Sequence, residues 1–225
     1  MSSKEFKLPD DFIRFHGRRK GKAIAPLKLA LYEKFFPALQ YAPSRLDKTK
    51  TNVLDIGFGG GENLAEKVIA NPEMNYLGAE PFLNGVASLI YHLTYKKEAP
   101  PTNIMIFPDD IRQLFREFED NIFNEVYLLF PDPWRKKRHV ERRFIHPDNL
   151  TQIHRILKPC GLFIVASDDA TYKDHIKEVL SAHTNILTPV YHSDVQPENW
   201  TTTRYEAKAL KEGRVPEYFI YKAVK

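Results

Sequence analysis

Two hydrophobic rhythms alternate along this chain. Short apolar runs, rich in β-branched and aromatic residues, are followed by stretches whose apolar positions recur every three to four residues. The spacing predicts strands over residues 52–56, 75–79, 104–107, 125–130 and 162–166. Between them it predicts helices over 62–70, 82–97, 111–118, 147–157 and 172–183. A further helix is expected over 26–36, closed by Pro37, because proline lacks the N–H that would continue it. Beyond residue 183 the rhythm breaks, leaving two strand candidates, 190–192 and 218–223, separated by a long polar loop. Strands that alternate with helices in this way build a parallel sheet covered on both faces. The expected fold is therefore α/β and doubly wound, with a mostly parallel seven-stranded sheet. A basic N-terminal extension, residues 1–45, would precede a domain spanning 46–225.

Composition narrows the field. The 225 residues are 43% hydrophobic and 28% charged, which suits one sizeable globular core and excludes a disordered or low-complexity chain. No apolar run is long enough to span a bilayer, and the first ten residues lack the apolar centre of a secretory signal. The single cysteine, Cys160, rules out an intramolecular disulfide and a cysteine-rich zinc site. A reduced, cytoplasmic protein is expected, with no membrane partner and no metal; monomer and homodimer both stay open. Pro159-Cys160 echoes a nucleophile motif, but it precedes the fifth strand instead of following the fourth. His139, His146 and His154 lack a partner at metal-ligand spacing.

The net charge of +4 is unevenly spread. Arg14, Arg18, Arg19, Lys20, Lys22 and Lys28 fall in one stretch without an acid. Arg135, Lys136, Lys137, Arg138, Arg142 and Arg143 form a second, against Glu141 alone. The remainder of the chain is net acidic, so positive charge is concentrated as a phosphate-rich partner would require.

The candidate chemistry lies at the strand ends. The first strand runs into Asp55-Ile56-Gly57-Phe58-Gly59-Gly60-Gly61, where Gly57, Gly59 and Gly61 allow a tight turn and a close ligand approach. Glu80 ends the second strand, where a carboxylate can accept both hydroxyls of a ribose, and Asp109-Asp110 follow the third. A dinucleotide fingerprint would need glycine at position 62; Glu62 places a negative charge where a pyrophosphate would sit. Asp55 beside three glycines suits a ligand with an ammonium group and no phosphate, and S-adenosylmethionine fits that description. After the fourth strand, Phe130-Pro131-Asp132-Pro133-Trp134 clamps Asp132 between two prolines, next to an aromatic face for a base and a cationic flank for phosphates.

These residues resemble the bacterial tRNA (guanine-N7-)-methyltransferases, from about Asn52 to the C-terminus. Gly78-Ala79-Glu80, the Pro131 to Arg143 run, Ser167-Asp168 and Thr203-Arg204-Tyr205-Glu206 carry the likeness together with the glycine turn. The resemblance implies a Rossmann-like class I methyltransferase that uses S-adenosyl-L-methionine as methyl donor and tRNA as substrate. It implies that Asp55, Glu80, Asp110 and Asp132 meet the donor and that Asp132 is catalytic. Lys136, Asp168, Thr203, Arg204, Tyr205 and Glu206 are implied as tRNA or guanine contacts. Position 55 is Asp where some members carry Glu, and the doublet at 109–110 leaves two candidates for the base of the donor. Two other readings remain: an NAD-dependent oxidoreductase, which Glu62 disfavours, and a non-catalytic RNA-binding module on the same fold. Trp200 could pack the C-terminal loop or touch RNA.

Overall fold

The computed structural model describes residues 15–225. Arg14 and the residues before it, including most of the expected extension's start, lie outside the described residues. The chain forms helix α1 (Pro26–Leu39), then strand β1 (Asn52–Ile56), α2 (Glu62–Ala70), β2 (Asn75–Ala79), α3 (Leu83–Thr94) and β3 (Ile104–Phe107). It continues with β4 (Phe123–Leu129), α4 (Pro147–Ile156), β5 (Leu157–Ser167), α5 (Ala170–Ser181), β6 (Leu187–Ser193), α6 (Arg204–Lys211) and β7 (Glu217–Ala223).

These strands make one sheet in the order β3-β2-β1-β4-β5-β7-β6. The first five strands are parallel, while β7 inserts antiparallel between β5 and β6. The order reverses between β1 and β4, and that switch point opens a crevice at the carboxyl ends of the strands. β1 is buried along its whole length, as a central strand covered on both faces must be.

Three elements differ from the sequence expectation. Helix α1 passes through Pro37 and ends at Leu39. Proline removes one hydrogen bond there, but the extra turn sends Leu39 into the cluster that holds Phe35, Leu89 and Ile106. Burying a leucine fully contributes about 1.5–3 kcal/mol, enough to offset one lost bond near a helix end. Helix α1 thus packs against α3 and β3. The expected helix over 111–118 is instead a single 3-10 turn, Ile111–Leu114, followed by further tight turns. Its apolar spacing is satisfied all the same, because Ile111, Leu114, Phe115 and Phe118 are all buried. Finally, the polar loop before β7 contains α6, opened by a capping box between Thr203 and Glu206.

Candidate active site

The glycine turn is built by backbone geometry. Gly57 sits at φ +71° with open space where a side chain would project, so its face belongs to the crevice. Gly61 sits at φ +77° at the N-cap of α2, and a Cβ there would collide with Leu89 of α3. Gly61 therefore packs helix on helix and lines neither of the cavities at this site.

Glu80 stitches this turn to the next helix. Its carboxylate accepts from the N–H of Gly59 at 2.8 Å and from the N–H of Phe82 at 2.9 Å. Each oxygen retains a second lone pair. Burial pushes the Glu80 carboxyl up to about 7, against the pull of those two bonds and with Asp55 and Asp132 adding repulsion. Asp55 is likewise raised to about 6 by burial, opposed by the Lys67 ammonium. Burial lowers the pKa of Lys67 in turn, and its nitrogen lies 3.4 Å from the centre of the Tyr127 ring.

A cavity of about 540 Å³ collects these groups. Gly57, Gly59, Glu80, Asp110, Asp132 and Trp134 all line it. A smaller cleft, holding Asp55 and Asn63, adjoins it through the shared Gly57 and Tyr205. The two acids after β3 take different partners: Asp109 pairs with Arg19 at 2.7 Å, and Asp110 is gripped by the Arg112 guanidinium. Glu62 stands beside Gly60 and 3.7 Å from Arg204, so the α2 terminus carries a carboxylate where a diphosphate would be repelled.

Asp132 follows a turn whose flanks are strained. Phe130 and Trp134 adopt φ of 52° and 43°, a region that side-chain-bearing residues rarely occupy and that clusters at functional sites. Asp132 is exposed at the cavity wall, and partial desolvation raises its pKa. Trp134 is met edge-on by His16 and His139, and the Arg142 guanidinium lies 5.3 Å from its ring centre. A base stacking on Trp134 would therefore use the side away from Arg142 or displace it.

The chain segments expected to touch RNA divide into exposed and buried members. Lys136, Lys137 and Arg138 are exposed beside the Asp132 turn. Arg143 is not: it is 7% exposed and donates to the Pro133 carbonyl. At the end of β5, Asp168 is held by Arg214 at 2.5 Å. Thr203 caps α6, Arg204 is exposed, and the Tyr205 ring lies over Gly59, where a Cβ on the glycine would strike it. Glu206 is completely buried, with its carboxylate accepting from Trp200, Gln196, the Thr203 N–H and Tyr218. That geometry turns Glu206 into the anchor of its own segment, and Trp200 packs edge-on against Tyr218 in the same loop. Cys160 lies exposed at the opposite end of β5 from the cavity.

A family described as "Putative methyltransferase" matches residues 49–217. A tRNA (guanine-N(7)-)-methyltransferase of Granulibacter bethesdensis is 40% identical over 92% of this chain and 94% of its own. The chain belongs to the tRNA (guanine-N(7)-)-methyltransferase family. A member from Paramagnetospirillum magneticum is 39% identical over 93% of this chain and 92% of its own. Solved structures agree on the fold. A 16S rRNA (adenine(1408)-N(1))-methyltransferase from Catenulisporales acidiphilia matches 83% of this chain and 93% of its own with a TM-score of 0.57 at 15% identity. An antibiotic-related methyltransferase matches 91% of this chain and 97% of its own with a TM-score of 0.55 at 18% identity.

Several residues of this family member's site carried no sequence signal of their role. Phe15, His16, Gly17 and Arg18 form part of the cavity wall, although only their charge and aromaticity stood out. Arg143 stands out in the sequence only as one cation of the basic run, and neither Arg214 nor Asn63 stands out at all. Among the described residues, no cluster of three His, Cys, Asp or Glu could hold a metal ion, and no helix is long and apolar enough to cross a membrane.

Proposed function

We propose that this chain transfers a methyl group from S-adenosylmethionine to N7 of a guanine in the variable loop of tRNA. One observation carries the proposal: a single cavity at the switch point joins the glycine turn and Glu80 to Asp132 and Trp134, and the exposed basic run flanks it. The residues present fit that donor. The volume is that of a small-molecule site, Gly57 leaves an open wall, and Glu80 keeps two lone pairs for ribose hydroxyls. Asp109 or Asp110 would face the adenine.

S-adenosylmethionine would supply, when bound, a methyl group on a positively charged sulfur: the in-plane lone pair of guanine N7 would form the new carbon–nitrogen bond as the carbon–sulfur bond breaks, its electron pair leaving with S-adenosylhomocysteine. Because N7 carries no proton, this chain needs no base to activate it. Its task is alignment, with the guanine drawn out of its stack and held in register. Asp132, presented by the clamped turn, accepts from the N1–H or amino group of the guanine and offsets the positive charge that develops on the ring. Trp134 supplies an apolar face for the base. Lys136 and its exposed neighbours hold the flanking phosphates, and Asp168 and the segment with Thr203, Arg204 and Tyr205 recognise the substrate.

The test is incubation of the protein with labelled S-adenosylmethionine and unmodified tRNA, followed by chemical cleavage selective for 7-methylguanosine. Scission in the variable loop is expected. Methyl incorporation without scission would move the target atom, and tRNA binding without incorporation would favour a binding module on this fold.

A further inference from the structure

Asn63, the second residue of α2, is 8% exposed, and its two amide groups fare very differently. Its Nδ2 donates to the carbonyl oxygen of Thr201 at 2.5 Å. A carbonyl accepts only from the NH₂ side of an amide, so this bond fixes which way the side chain points. Its Oδ1 is then left buried without a hydrogen-bond partner. Buried polar atoms are almost always satisfied, and an orphan in this cleft calls for a donor from outside the chain.

The cleft defines that donor's chemistry. Asn63 shares it with Asp55, Gly57, Thr203 and Tyr205. Two carboxylates, Asp55 and Glu62, face it, and the guanidinium of Arg204 lies 3.7 Å from Glu62. The N-terminus of α2 alone would attract an anion, but these acids reverse the sign at the Asp55 wall. A compact cation with several N–H donors satisfies Asp55 and Asn63 together, and an α-ammonium group has that form.

We infer that Asn63 receives the ammonium of the methyl donor's amino-acid end on Oδ1 while its Nδ2 holds Thr201, so one side chain joins donor binding to the placement of the C-terminal recognition segment. The inference rests on the reading of the adjoining cavity as the S-adenosylmethionine site. Thr201 leads within two residues to Thr203, which caps α6, and then to Tyr205, whose ring covers Gly59. An ammonium on Oδ1 therefore steadies the strap that crosses the glycine turn. Without it, the same strap is held by the Asn63 amide bond, the Arg204–Glu62 pair, the Gln196–Thr202 bond and the Glu206 anchor.

Calorimetry on the full chain separates the two halves of this inference. S-adenosylhomocysteine carries the ammonium, whereas 5′-methylthioadenosine keeps the nucleoside and lacks the amino-acid end. Asn63→Leu should weaken S-adenosylhomocysteine about tenfold, the loss of one hydrogen bond to a charged group, and leave 5′-methylthioadenosine within about twofold. Hydrogen exchange at residues 201–206 should slow when S-adenosylhomocysteine binds the native chain and stay unchanged in the variant. Asn63→Asp, which retains an acceptor for the ammonium but repels the Thr201 carbonyl, should keep the affinity and lose the protection. Equal weakening of both ligands by Asn63→Leu, or no weakening of S-adenosylhomocysteine, would overturn the inference. Failure of the native chain to bind either ligand would instead overturn the donor reading on which it stands.

Discussion

Arg143 donates from Nε to the carbonyl oxygen of Pro133 at 2.9 Å, which ties a buried guanidinium to the turn that presents Asp132. The same guanidinium lies 5.3 Å from the Tyr172 ring centre and reaches Thr171 at 3.3 Å. Thr171 donates to Asp169, and Asp169 accepts from Arg135 at 2.5 Å. Pro133 and Arg135, both on the C-terminal side of Asp132, are thereby tied to the start of α5. A cation that stands in the sequence as one of a basic run is in place a buried support for the turn that carries Asp132.

Arg143→Ala should cost about 2–3 kcal/mol of stability, through the lost bonds and the lost packing of its stem. Methyl transfer at saturating donor and tRNA should fall more than donor affinity does. Arg143→Lys should recover stability better than rate, because an ammonium lacks the planar fork. Urea denaturation alongside single-turnover transfer checks this, and equal losses of affinity and rate would count against it.

The raised carboxyls predict how donor binding depends on pH. Asp55 and Glu80 have folded pKa values, about 6 and about 7, above those of an unfolded chain. Their contribution to the stability of the free protein is present in full below the unfolded values. It is lost as pH rises through 6 and then 7. A ligand that offers hydroxyls and an ammonium favours the ionised forms, so affinity should increase over that window and binding near neutrality should release protons. Calorimetry of S-adenosylhomocysteine in buffers of different ionisation enthalpy reads the release directly. Glu80→Gln should remove the upper step.

Glu217 predicts the opposite sign. Burial alone would raise its carboxyl, but hydrogen bonds from Lys177, His192 and Lys173 outweigh that and bring it down to about 2. The stability it confers is complete above the unfolded glutamate value and disappears as pH falls toward 2. Glu217→Gln should flatten acid unfolding over that interval and leave the alkaline limb unchanged, as thermal melts across pH would record.

Glu206→Ala removes the acceptor shared by Trp200, Gln196, Thr203 and Tyr218. Stranding buried donors costs about 1–3 kcal/mol each, although solvent entering the loosened loop would recover part of it. A loss of about 2–4 kcal/mol is expected, with a shift of Trp200 emission toward that of solvated indole. Unaltered emission would show that the loop holds without its anchor.

Lys136 stands exposed beside the turn, so Lys136→Ala should weaken tRNA binding without preference for sequence. The slope of log affinity against log salt should drop by about 1, as expected when one cation no longer neutralises a phosphate. Filter binding over a range of potassium chloride concentrations measures it.

Local rules carried the sequence reading far. Strands 52–56, 75–79 and 104–107 and helix 62–70 fall where the hydrophobic rhythm put them, because each is a short segment whose period and flanking breakers are contained within itself. The glycine turn, Glu80 and the clamped Asp132 were legible for the same reason: their chemistry is written in adjacent residues at strand ends. Folding decided what lies between distant segments. Asn63 meets Thr201 across 138 residues, Asp168 meets Arg214 across 46, and Arg143 is buried only because α5 packs beside the proline turn. Pro37 inside α1 and the buried Glu206 follow the same logic. Propensity and charge describe a residue against water, whereas its place in this protein is set by the partners that tertiary packing brings to it once water has gone.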